Sequence, residues 1–122
     1  MLFRSPGVLP AAGPNAQSRF ERCYQYDSLS DRYSRFLVEE LIPEVAKSYN
    51  LSTDPNDRGI YGVSTGAVGA LVAAWHRPDQ FRRVLSLIGT YVAMKGGDTL
   101  AATIRRSEPK PLRVFQIGRA HV

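Results

Sequence analysis

The five residues Gly62-Val63-Ser64-Thr65-Gly66 constrain the fold more than any other part of the chain, because two periodicities meet there. Upstream, Gly59-Ile60-Tyr61-Gly62-Val63 reads as a short apolar strand, and downstream Ala67 to Trp75 is a run of small and aliphatic residues suited to a buried helix. A serine between them sits on a strained strand-to-helix turn, and Gly62 and Gly66 are expected because a Cβ at either would collide with the neighbouring strand and helix. The same position puts Ser64 at a helix N-terminus, where unpaired N–H groups and the positive end of the dipole can stabilise an oxyanion. Ser64 is therefore the candidate nucleophile. A bare G-x-S-x-G string arises by chance in roughly one chain of this length in thirty, given glycine near 7% of residues. The strand before it and the helix after it carry the specificity, and the alternative is a glycine-rich turn without chemistry.

A serine hydroxyl needs a histidine to take its proton and a carboxylate to orient that histidine. Two histidines are present. His76 lies twelve residues after Ser64 on the same predicted helix, about 18 Å away at 1.5 Å per residue, so within one copy of the chain it is not the base. It suits the C-terminus of that helix, where an imidazole complements the dipole. His121 satisfies the chain order of serine, acid, histidine, but it is the penultimate residue, and chain ends are poorly positioned. Asp79, Asp98 and Glu108 lie between Ser64 and His121, and none is assigned as the triad carboxylate.

The 122 residues suffice for one domain with a modest core, yet are few for a complete parallel sheet covered on both faces. A composition 43% hydrophobic and 22% charged is that of a globular protein, with no apolar run long enough to span a bilayer. The amino-terminal residues show no charged segment followed by a long apolar one, so no secretory signal is read and no compartment is assigned. Cys23 is the single cysteine, which excludes an internal disulfide and a multi-thiolate zinc site. The net charge of +5 comes mostly from arginines scattered from Arg4 to Arg119, with Arg82-Arg83 and Arg105-Arg106 the adjacent pairs. That pattern is a solvated surface rather than a nucleic-acid tract.

Along the chain, Met1-Leu2-Phe3 reads as the end of a strand before a Gly, Pro and Asn loop running to Gln17, and Phe20 to Tyr26 as an extended segment. Ser28-Leu29-Ser30-Asp31 is an N-cap signal, after which Tyr33, Phe36, Leu37, Leu41, Val45 and Tyr49 recur at helical spacing. Pro43 interrupts that helix and predicts a kink. Arg77-Pro78-Asp79 stops the helix after Ser64, Arg83 to Ile88 reads as a strand, Gly89 to Asp98 as a loop, Thr99 to Arg106 as a short helix and Leu112 to Gln116 as a last strand. Strands alternating with helices predict an α/β fold with right-handed parallel crossovers, a mostly parallel sheet and helices on both faces. Ser64 and the loops after Gly7 and Ile88 then share one rim.

Several strings together resemble one family: Pro6-Gly7-Val8-Leu9-Pro10, Tyr26-Asp27-Ser28 with Asp31-Arg32-Tyr33, Glu39 to Val45, Asp54 to Arg58, the serine turn, and Trp75 to Val84. The chain is similar over Leu2 to Gln116 to the enterochelin-esterase-like (putative esterase) α/β hydrolases. The resemblance implies a partial α/β-hydrolase fold and ester hydrolysis through an acyl-serine intermediate, without a metal or organic cofactor, on a small-molecule ester. It puts Ser64 in the nucleophile position and the Thr65 backbone N–H in one oxyanion-hole position. Members of the family are about twice this long, so residues 1–116 are expected to be a fragment of one domain, nearly inert alone. The second oxyanion donor, the triad carboxylate and the histidine belong to parts before and after it. Ile117-Gly118-Arg119-Ala120-His121-Val122 looks like a translated sequencing adaptor, a non-native tail, which would make His121 an artefact.

Two further functions stay open from the sequence. One is acyl transfer to an alcohol other than water, since related folds include acyltransferases. The other is a non-catalytic binding module of hydrolase-like fold. Neither the particular ester nor the oligomeric state is readable.

Overall fold

The computed structural model describes residues 2–4, 29–91 and 97–118. The Gly7 to Gln17 loop, the segment Phe20 to Tyr26, Cys23 and His121 lie outside them.

Four strands form one sheet in the order β1 (Leu2–Arg4), β2 (Gly59–Val63), β3 (Arg83–Leu87) and β4 (Arg113–Ile117). Every neighbouring pair is parallel, with Gly59 opposite both Leu2 and Arg83, and Leu87 opposite Val63 and Ile117. Each crossover carries helix. Between β1 and β2 run α1 (Arg32–Arg35), a π-helical turn (Phe36–Leu41) and α2 (Ile42–Ala46). Between β2 and β3 lies α3 (Thr65–His76), and between β3 and β4 lies α4 (Leu100–Arg106). The chain is thus an α/β protein whose sheet is parallel throughout the described residues, and β2 has the bounds its residue pattern predicts.

Where a kink is expected at Pro43, the helix carries a π turn just before it. Pro43 has no N–H for the carbonyl of Glu39 and its ring crowds that turn; just before it, the Ile42 N–H reaches back five residues to the Leu37 carbonyl. The expected apolar face is only partly right, and the helix ends at Ala46, before Tyr49. Leu37 and Ile42 are buried, and Tyr33 and Leu41 pack against the core, but Phe36 is 40% and Tyr49 68% exposed. Asp31 takes the N-cap position without a side-chain cap bond; its carbonyl instead accepts from Ser34 Oγ at 2.7 Å.

α3 is the centre of the core. Eight of its residues, Ala67 to Ala74, are buried, which leaves it apolar all round. It packs on β2 and β3 on one side and α1 on the other, and one cluster joins Leu37, Ile42, Ile60, Val68, Phe81, Val84 and Leu100. The other face of the sheet is open among the described residues: Val63, Phe115 and Ile117 are exposed, with Phe115 at 64%. Parallel sheets are normally covered on both faces.

Where α3 ends, at His76, Lys110 holds it. Its Nζ donates to the Trp75 carbonyl at 2.9 Å and sits 4.7 Å from the centroid of the Trp75 ring. A cation at the negative end of a helix and over an indole is favourable twice. Lys110→Met is expected to cost about 1–2 kcal/mol, read as a lower denaturant midpoint; an unchanged midpoint would rule this contact out as a stabilising one.

Candidate active site

At the carboxyl end of β2 the chain turns directly into α3, and Ser64 is the hinge of that turn. Its backbone has φ 58° and ψ −121°, one of two non-glycine residues with positive φ among those described. Such a conformation is costly for a residue with a Cβ and persists only where its surroundings enforce it. Three bonds do so. The Ser64 N–H extends the parallel ladder to the Leu87 carbonyl at 3.0 Å, and the Ser64 carbonyl accepts from Ala67 N–H at 3.1 Å and Thr90 N–H at 3.4 Å.

The two flanking glycines differ. A Cβ on Gly62 would lie 1.9 Å from the Gly66 carbonyl oxygen and 2.6 Å from the Ala67 nitrogen, so strand and helix can approach this closely only over glycine. At Gly66 a Cβ meets nothing within 4 Å among the described residues. The sequence-based expectation that both glycines prevent a clash is therefore corrected at Gly66, where the helix has already turned its face away from the strand.

Ser64 is half-buried, and its side chain makes no cap bond to the helix. Thr65 occupies the first helical position, where an α-helix offers its N–H no internal acceptor. A hydroxyl and an N–H without an acceptor inside the helix thus sit side by side at the positive end of a twelve-residue helix. That arrangement can attack a carbonyl and hold the resulting oxyanion.

His76 and Asp79 are engaged elsewhere. His76 is at the opposite end of α3, where its Nε2 lies 2.8 Å from the Leu29 carbonyl and ties that helix to the approach of α1. Asp79 is engaged by Arg77, which donates from Nε at 2.8 Å and from the guanidinium tip at 2.7 Å. These bonds hold the Asp79 carboxyl at a pKa of about 2, well below the usual carboxylate range. Because the native pKa is depressed, the pair stabilises the fold above the unfolded value of about 4 and loses that contribution as pH falls through about 2. An NMR titration should place Asp79 near 2 and move it up toward the ordinary value in Arg77→Ala; a midpoint indifferent to Arg77 would contradict the pairing.

The Asp54 to Arg58 string is structural. Asp54 accepts from the Asn56 N–H at 2.8 Å to start a short 3₁₀ turn (Pro55–Asp57), and this bond is the main cause of its lowered pKa. Arg58 is buried to 8% exposure, donates from Nε to the Ser52 carbonyl at 2.6 Å and reaches Gln80 Oε1. It anchors the amino end of β2, the end remote from Ser64.

At the rim beside Ser64, the turn after β3 holds a pair the sequence reading passed over. Ser86 Oγ and Tyr91 Oη lie 2.7 Å apart, and the Tyr91 hydroxyl also donates to the Ala67 carbonyl at 3.4 Å. Burial pushes the Tyr91 phenol above its usual pKa, against the opposing effect of the Ser86 bond. The signal was present: Ser86 alternates with Val84 on the helix-facing side of β3, where a hydroxyl must find a partner.

A family model described as "Putative esterase" matches residues 8–97, most of the chain and all of the turn around Ser64. The chain belongs to that esterase family. It is similar to the uncharacterized protein YbbA of Bacillus subtilis (strain 168), 28% identical over 98 residues that make up 72% of this chain and 38% of that protein. It is also similar to the iron(III) enterobactin esterase of Dickeya dadantii (strain 3937), 38% identical over 53 residues, 43% of this chain and 12% of that one. The chain therefore spans well under two thirds of either relative. No helix among the described residues of this esterase-family chain is long and apolar enough to cross a membrane.

Proposed function

We propose that the whole protein is a serine ester hydrolase in which Ser64 is the nucleophile and the Thr65 N–H one oxyanion donor. The observation that carries the reading is the backbone of Ser64, held at positive φ between a strand and a helix, with no cap bond from its side chain. Membership of the esterase family supports the reaction class, and the likeness to an iron(III) enterobactin esterase supports a small-molecule carboxylic ester as substrate.

In this reading Ser64 Oγ adds to the ester carbonyl carbon as a histidine outside the described residues takes its proton. The carbonyl oxygen becomes an oxyanion facing the first turn of α3. Collapse expels the alcohol, which takes up the proton, and water then repeats the sequence to release the acid and free Ser64. His76 does not serve, since α3 holds it a helix length away.

The test is presteady-state kinetics of the whole protein on a chromogenic ester. An acyl-serine route predicts a burst of alcohol release of about one equivalent per active site. Turnover without a burst under conditions where deacylation limits, and undiminished in Ser64→Ala, would overturn the proposal.

A further inference from the structure

Ser86 is wholly buried on the helix-facing side of β3, in register with Gly62 at the foot of the serine turn. The Tyr91 hydroxyl lies 2.7 Å from Ser86 Oγ, a bond in which either hydroxyl can donate, and 3.4 Å from the Ala67 carbonyl. One phenol therefore ties together the interior of β3, the first turn of α3 and the segment that follows β3.

That segment is under constraint. Ile88 has φ 43°, a region a β-branched residue occupies only when its surroundings require it. Gly89 lies so close to the Tyr91 ring that a Cβ would be 2.3 Å from Cε2. Two backbone bonds complete the turn: Ile88 N–H donates to the Ile117 carbonyl at 2.7 Å, and Thr90 N–H to the Ser64 carbonyl at 3.4 Å. The second falls on the strained residue of the elbow itself. The two positive-φ residues among those described are thus joined through a turn of three residues that Tyr91 fastens at its far end.

We propose that Tyr91 is a positioning residue for Ser64: its hydroxyl, bonded to Ser86 and Ala67, holds the turn after β3 against the elbow so that Thr90 restrains the Ser64 backbone. The inference rests on reading Ser64 as the nucleophile. The Tyr91 ring packs against the core independently of its oxygen, so removing the hydroxyl alone releases the fastening and keeps the packing. A nucleophile displaced by a fraction of an ångström reacts more slowly without binding substrate less well.

In the whole protein, Tyr91→Phe and Ser86→Ala should each lower kcat about tenfold, with KM changed less than about twofold. The double variant should be little worse than either single one, because both remove one linkage. Ile42→Val, a core change remote from the turn, should lower thermal stability and leave kcat as it is, which separates positioning from general destabilisation. If Tyr91→Phe does not fold, Ser86→Ala reads the same linkage. An unchanged kcat in these variants, beside an inactive Ser64→Ala, overturns the role of Tyr91 and leaves the nucleophile in place; a fully active Ser64→Ala overturns both.

Discussion

Ser64→Ala is expected to lower kcat for ester hydrolysis in the whole protein by about 10⁴-fold to 10⁶-fold, the loss seen when the nucleophile of a catalytic triad is removed. The fold should scarcely notice. The Ser64 side chain makes no cap bond, and alanine carries the same Cβ at φ 58°, so stability should stay within about 0.5 kcal/mol. Ser64→Gly sharpens the point, because glycine adopts this backbone without the penalty and should stabilise the protein by about 1 kcal/mol while remaining inactive. A position where the native residue is the less stable choice is one retained for chemistry. Calorimetry and steady-state kinetics on the three proteins check both halves; destabilisation by either substitution would mean that Ser64 is there for the fold.

The second large effect is at Gly62. A Cβ there faces the Gly66 carbonyl at 1.9 Å, and because that contact is backbone, no rotamer change relieves it. Gly62→Ala is expected to cost more than about 3 kcal/mol, the upper end of overpacking penalties, by prising α3 off β2. Gly66→Ala should fall within about 1 kcal/mol of the parent, on the stabilising side, since alanine is the better helix former and its Cβ meets nothing among the described residues. Denaturation midpoints of the two variants make the comparison, and equal costs would show that the elbow is not packed as described.

Both predictions come from a part of the molecule that was legible in the sequence. The short apolar run before Ser64 and the small-residue run after it read as a strand and a helix, and the observed bounds, Gly59–Val63 and Thr65–His76, follow that reading closely. The face of the first helix was less legible. A 3.6-residue period carried through Pro43 assigns Phe36 and Tyr49 to the core, but Phe36 opens the π turn, Tyr49 lies past the helix end at Ala46, and both are exposed. Nothing in a period reports a local change in helix type.

At the site, the turn that carries Ser64 and Thr65 was legible, because it lies where a strand pattern meets a helix pattern. Tyr91 was not. Its link to Ser86 depends on Ile88 taking φ 43°, which a β-branched residue gives no reason to expect. The Gly89-to-Tyr91 approach is equally invisible until the turn is closed. Contacts made through a strained turn are found from coordinates, whereas the junction of two regular elements is found from pattern.

The most direct test of the account is to map a covalent adduct. Treated with a fluorophosphonate and digested with trypsin, the whole protein should carry one label, on the peptide Gly59–Arg82, since Pro78 blocks cleavage after Arg77. Fragmentation should place it on Ser64. A label on any other serine, or on Ser64 only in denatured protein, would contradict the claim that this turn presents an activated nucleophile.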